Sequence, residues 1–426
     1  MIQEARAQSV ASINEAEVER RVRALSPAVR AQRATLAQVD AERERAARAL
    51  VPELSVTARY TRLSSVPEEF RQISLNIPGV PMMDGLVFPQ LLDQFVTRAS
   101  LTVPVSDLFT RALPALRAAG ARAEAARLEA RASEARSVFE AQSAYLQWLR
   151  ARAALAVARS SRESFERTRE DTARRVRAGQ LALSQQLPLD VTLSSLRRQE
   201  IALEAAVRSA ESTVRALLAI DAASMVPTDE ELDPRAAAPS ASTRPELAAL
   251  DANARALEGQ AGAARGALFP SLVVTGGVDV AAPNPRAFAQ TTLTPLATWD
   301  VSVQLSWSLG QTLDHEAQLR VLAAQRQALE AQRDALSRAL DAEVSSARAE
   351  EQAARRRIEE ATTGLRAAEA LAEQRRGAYQ AGAATATELT IAEAELVQKR
   401  LELADARLEA RAASLRLRYA LGALSR

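Results

Sequence analysis

Cysteine is absent from the 426 residues, which excludes disulfides, thiolate metal sites and a lipid on an N-terminal Cys. His315 is the only histidine, so His-based metal sites and Ser-His triads are excluded as well. No GxGxxG or GxxxxGK[ST] phosphate loop is present, and acid pairs such as Glu350-Glu351 sit among arginines as i,i+4 partners. Neither an enzyme nor a cofactor is expected. Lysine is nearly missing too, Lys399 standing alone among 55 basic residues, and these interleave with 53 acidic ones. A net charge of +2 spread in this way gives no basic patch and no reason to expect nucleic acid. No run of 18 apolar residues exists, so a transmembrane helix is excluded. Met1-Ile2-Gln3-Glu4 lacks the basic start and apolar core of a signal peptide. Either the protein is cytosolic, or the numbering begins on a mature chain with an added start Met.

Proline is missing from two long windows: none lies between Pro114 and Pro188, and none follows Pro295. Inside a helix proline costs about 3 kcal/mol, so these windows mark where helices run uninterrupted. The Ala, Arg, Glu and Leu that fill them are helix formers. The spacing predicts long helices over 110–178 and 311–381, roughly 100 Å each at about 1.5 Å per residue. Helices of that length must pack side by side. Each ends in Ala-Gly, and Gly179 precedes Gly382 by 203 residues.

The two halves match further. Pro27 and Pro52 stand 25 apart, as do Pro245 and Pro270, and "RALLAID" near Ala219 answers "RYALGAL" near Gly422. We read two tandem copies of one unit, 1–220 and 244–426, joined by a polar linker at 221–243. Strands are predicted at about 52–66, 95–109, 270–282 and 297–309, and return helices at about 182–220 and 385–422. The strands alternate. Leu54, Val56, Ala58 and Tyr60 are separated by Ser55, Thr57 and Arg59, and Val301, Val303 and Leu305 by Ser302 and Gln304. The stretches 52–109 and 269–309 hold 9 of the 15 aromatics in under a quarter of the chain. Strands of about ten residues with one apolar face match membrane-barrel strands, with Trp299, Trp307 and Tyr60 as interface aromatics. Four strands cannot close a barrel, and an open edge cannot face lipid. Several chains must contribute, and three would give twelve strands.

In "LSPAVRAQ…ALVPELSVTARY", its second copy "TRPELAAL…GALFPSLVVTGG", both Ala-Gly turns and "RYALGAL", the chain resembles the TolC-like outer-membrane efflux proteins over essentially its whole length. The resemblance implies a homotrimer. Its fold would be mainly α with a β-barrel part: a twelve-stranded barrel in outer-membrane lipid above a twelve-helix periplasmic tunnel. It would serve as exit duct of an efflux or type I secretion system. An inner-membrane pump would be joined to it by a periplasmic adaptor, and the missing N-terminal Cys points to the unlipidated branch. The tips that meet the adaptor fall here at Ala178, Gly179, Gln180 and Leu181, and at Ala381, Gly382 and Ala383. The family's gate Tyr matches Tyr379, facing Ser184 and Gln185, while a latch Arg is replaced by Ala384. Of two acidic pore positions, Glu388 keeps its carboxylate and Ile391 has lost it. A ring of Glu388 side chains would favour cations. The alternative class is a soluble coiled-coil scaffold, which has no use for aromatic-rich alternating hairpins.

Overall fold

The computed structural model describes residues 10–67, 72–75, 83–87, 90–220, 224–228, 244–287 and 292–425. The chain is mainly helical with a small sheet, divided into two compact units. One comprises Met1–Gln38, Glu124–Asp251 and Ala331–Arg426, the other Val39–Ala123 and Ala252–Glu330. Among the described residues no helix is long and apolar enough to cross a membrane.

The first unit is built on helices. Strand β1 (Val10–Ile13) leads into α1 (Glu15–Leu25), which opens where the Asn14 side chain accepts from the Glu17 N–H at 2.8 Å. The next helix is α2 (Pro27–Arg48), which carries Pro27 at its first position. The parts of the long α4 (Leu113–Arg177) and α7 (Leu309–Gln380) that follow Ala123 and Glu330 lie in this unit and are answered by return helices α5 (Leu187–Leu218) and α8 (Ala386–Ala420). The core gathers Val18 and Val22 of α1, Tyr145 and Trp148 of α4, Val214 and Leu218 of α5, and Leu408 and Leu415 of α8. Tyr145 donates its hydroxyl to the Ile13 carbonyl at 3.1 Å, and its ring lies 6.0 Å from that of Trp148. The first strand is thereby fixed to the long helix, with a buried polar group satisfied.

The second unit holds a four-stranded antiparallel sheet in the order β2 (Glu53–Arg62), β5 (Asp93–Val103), β7 (Ser271–Ala282), β8 (Leu296–Ser306). A separate hairpin, β3 (Gln72–Leu75) with β4 (Met83–Val87), lies within the loop between β2 and β5. Helix α6 (Pro245–Gly266) runs against the start of α4.

Three expectations need correction. The second strand was expected to reach 109, but β5 ends at Val103. Pro104 has no N–H to give the ladder, and the chain turns at once into α3 (Val105–Asp107) and a π-turn (Leu108–Ala112) leading to α4. The apolar Val105 and Phe109 continue the alternation in sequence but not in space. The polar linker is not wholly irregular: β6 (Ser224–Pro227) pairs in parallel with β1, while 221–223 and 229–243 lie outside the described residues. The first return helix starts five residues later than expected, at Leu187 rather than 182, after a short turn at Leu183–Gln185.

Helix ends repeat at a fixed interval. Gly179 (φ 74°) and Gly382 (φ 72°) are both left-handed and are 203 apart, as are Ala219 (φ 49°) and Gly422 (φ 72°). Left-handed caps let the following N–H groups turn back onto the last carbonyls. Ala219 pays a steric cost there that glycine does not, about 1 kcal/mol. Ala219→Gly is expected to raise stability by about that amount, read as a higher unfolding midpoint in detergent.

Candidate functional site: the sheet face and the helix tips

Register aligns the four strands into two chemically distinct faces. One row runs Val56, Ala99, Val278, Trp299, and another Leu54, Leu101, Gly276, Val301. Tyr60 meets Phe95 with ring centroids 5.0 Å apart, and Val274 meets Val303. This apolar face is bare in the single chain: Leu54 and Trp299 are each 72% exposed and Leu305 is 69% exposed. The other face carries Ser55, Ser100, Thr102, Thr275, Ser302 and Gln304, with Ser55 and Ser100 hydroxyls 2.9 Å apart. An apolar face of this size is unstable against water and marks a surface built to be covered.

Aromatics mark both ends of that face. Trp307 follows the last residue of β8, and Phe269 and Phe109 lie exposed at the same helix-side end. That end is closed by Ser106, which accepts from the Leu272 N–H at 2.7 Å, and by Asp107, which accepts from Ser271 at 3.2 Å. At the loop end Tyr60 donates to Asp93 at 2.8 Å, and Arg62 approaches the same carboxylate at 2.6 Å. Trp299 does not sit at a strand end but three residues in from Leu296. Phe95, Phe109 and Phe269 were not singled out from the sequence. Phe95 was readable from the alternation, whereas Phe109 lies in the π-helical turn, where strand alternation no longer applies.

The helix tips belong to the first unit and are near copies of each other. After α4, the Gln180 N–H donates to the Arg175 carbonyl at 2.9 Å, and after α7 the Ala383 N–H donates to Ala378 at 2.8 Å. Ala178, Gly179 and Gln180 are exposed, as are Ala381, Gly382 and Ala383, while Leu181 packs beside Tyr379. Each hairpin is stapled by an arginine. Arg169 donates to Asp190 at 2.8 Å and Arg376 to Glu393 at 3.0 Å, the two acids again 203 residues apart.

Tyr379 is buried, but its hydroxyl bonds to neither Ser184 nor Gln185. Its hydroxyl lies 2.7 Å from the Thr172 hydroxyl, whose own proton goes to the Thr168 carbonyl at 2.9 Å, so Tyr379 is the donor. The bond ties α4 to α7. Gln185 instead accepts from the Ala386 N–H at 2.8 Å, satisfying a first-turn donor of α8. Ser184 is exposed. Glu388 is exposed and closes a capping box: its carboxylate accepts from the Thr385 N–H at 3.0 Å, and its own N–H donates to Thr385 at 3.2 Å. The sequence missed Thr172, which lies 207 residues from its partner.

The Arg169 guanidinium, then the Gln186 amide, hold the Asp190 carboxyl below its usual pKa. A depressed carboxylate pKa stabilises the fold above the unfolded value and loses that contribution as pH falls through the folded one. The first hairpin is expected to loosen below about pH 4 and not in the neutral range. Because the pair is partly solvated, the change is small, well under 1 kcal/mol. A larger loss of amide-exchange protection at 183–190 on acidification in the wild type than in Asp190→Asn, which has already lost the ion pair, measures it.

The model of the family described as outer membrane efflux protein matches residues 19–219 and 240–423. No curated protein matches the chain in sequence. Among solved structures, CusC, in work on its folding and transmembrane channel formation, superposes with a TM-score of 0.77 at 16% identity, covering 99% of this chain and 95% of its own. VceC of Vibrio cholerae gives 0.73 at 18% identity, covering 96% of both chains. The open-state outer-membrane channel MtrE of Neisseria gonorrhoeae gives 0.74 at 18%, covering 96% of this chain and 88% of its own. A family match over nearly the whole length, on a chain whose sheet bares one apolar face, has a single reading: the protein belongs to the outer membrane efflux protein family and is an efflux duct of the outer membrane.

Proposed function

We propose that the duct is a homotrimer of two-copy chains, in which three four-stranded sheets close one twelve-stranded barrel and the long helices form a twelve-helix tunnel. The observation that carries this reading is the sheet itself. Among the described residues no strand pairs with the outer edge of β2 or of β8, and the face turned outward is apolar from Leu54 to Leu305. Free edges in hydrocarbon leave N–H and C=O groups unpaired, so β2 must pair with the β8 of a sister chain. Helix α2 supports the same reading: of its 22 residues only Val29 is buried in the single chain. A helix so bare derives its stability from neighbours. The helices then lie in the periplasm, an adaptor meets Ala178–Leu181 and Ala381–Ala383, and an inner-membrane pump delivers the cargo.

The gate in this reading lies at the tips, with Tyr379 as its buried latch and Glu388 as an acidic ring. Detergent-extracted protein is expected to run as a trimer, and a monomer with free sheet edges overturns the barrel. In planar bilayers Tyr379→Phe removes the bond to Thr172, about 1 kcal/mol, and is expected to raise the open fraction. Glu388→Ala is expected to weaken cation preference. Unchanged currents in both variants remove these residues from the gate.

A further inference from the structure

On the polar face of the sheet, one arginine reaches across a whole strand. Arg98 of β5 stands opposite Asp279 of β7, and its Nη1 donates to Asp279 Oδ2 at 2.9 Å. Its Nη2 continues over β7 to Asp300 Oδ2 on β8 at 3.1 Å. The residue it crosses is Gly277, which pairs with Asp300. A Cβ added at Gly277 would stand 2.8 Å from Arg98 Nη2 and 3.1 Å from its Cζ. The guanidinium therefore lies flat on the sheet because position 277 has no side chain. The far oxygen of Asp300 faces Arg286 Nη2 at 3.7 Å.

The geometry points to Arg98 as a selectivity-determining residue of the exit lumen, with Gly277 as the residue that positions it. This rests on the barrel reading above, in which the polar face lines the lumen. Held down, Arg98 is neutralised by Asp279 and Asp300, and with Arg286 at the far oxygen of Asp300 the two cations balance the two acids at the wall. Displaced, it projects a cation into the path of permeating ions, while the Asp300 carboxylate it leaves keeps Arg286 beside it. Charged rings in a pore set which ions pass, and a low-dielectric wall strengthens their field. The cargo affected is of one chemical class, small charged solutes and ions. The arrangement is also a clasp between the halves of the chain, since Arg98 and Asp300 are 202 residues apart.

The test is a substitution that changes no charge. Gly277→Ala is expected to shift the reversal potential in asymmetric KCl toward anions and to lower single-channel conductance. Adding Arg98→Gln removes the guanidinium that the new Cβ displaces and is expected to reverse both changes. Conducting Gly277→Ala channels with the wild-type reversal potential overturn the inference and leave the barrel standing. Should Gly277→Ala give no channels, recovery of channels in Gly277→Ala/Arg98→Gln supports the clash, and failure to recover assigns the glycine to something other than Arg98 and overturns it. Wild-type protein that forms no channel at all fails the barrel reading, and this inference with it.

Discussion

Glu15→Ala is expected to destabilise the helical unit by about 3–5 kcal/mol, because it takes the ion-paired carboxylate from a buried guanidinium. Glu15 opens α1 and is 8% exposed, while its partner Arg411, in the middle of α8, is 6% exposed. The two side chains are directly ion-paired. Removing water from a charge costs several kcal/mol, and only the opposite charge and its hydrogen bonds offset that cost. The pair itself need not be strongly stabilising. Replacing both partners, as in Glu15→Leu/Arg411→Met, is expected to be close to neutral, because neither charge is then buried. A double-mutant cycle on thermal unfolding in detergent separates these outcomes. If Glu15→Ala costs under about 1 kcal/mol, the carboxylate is not what compensates Arg411. The contact matters because α1 has only one turn of apolar anchors, Val18 and Val22, to hold the first strand and helix against the bundle.

Gly266→Ala is expected to be as damaging, although it adds one methyl group. In the sheet unit, α6 meets the start of α4 through Gly259, Gly262 and Gly266, spaced to share one helix face. A Cβ at Gly266 would stand 2.0 Å from the Thr110 carbonyl oxygen, and one at Gly259 2.7 Å from the Ala118 nitrogen. Both obstacles are backbone, which cannot rotate away as a side chain can. Overpacking ordinarily costs 1–3 kcal/mol, and a backbone clash belongs at about the upper end or above. Gly262→Ala meets only the Pro114 ring at 3.2 Å and is expected to cost less. Gly120, on α4 with nothing within 4 Å of a built Cβ, is the control. Gly120→Ala is expected to stabilise by about 0.5–1 kcal/mol, since alanine loses less backbone freedom in a helix. Melting Gly259→Ala, Gly262→Ala, Gly266→Ala and Gly120→Ala side by side gives the order, and equal effects at 266 and 120 would refute close helix approach as the cause.

Much of the site was legible before the structure. The alternation in β2 and β8 assigned Leu54, Tyr60, Trp299 and Val301 to one face, because a pleated strand admits only two. Gly179 and Gly382 marked the helix reversals because glycine is the residue that enters the left-handed region without strain. The strand reading failed past Pro104, where Val105 and Phe109 kept the apolar period while the missing N–H ended the ladder. The gate pairing failed for a different reason. Position-by-position transfer offered Ser184 and Gln185 to Tyr379, but the packing of α4 beside α7 places the Thr172 hydroxyl against it instead. Helix register across a packed interface depends on side-chain volumes along its whole length.

Local chemistry, written in order along the chain, was enough to set where helices run, where they reverse and which strand faces repel water, since each depends on residues a few positions apart. Which groups meet over gaps of 200 to 400 residues was settled only by folding: Arg98 with Asp300, Thr172 with Tyr379, and Glu15 with Arg411. Those encounters depend on how elements slide and turn against one another, and close packing fixes that for all of them together.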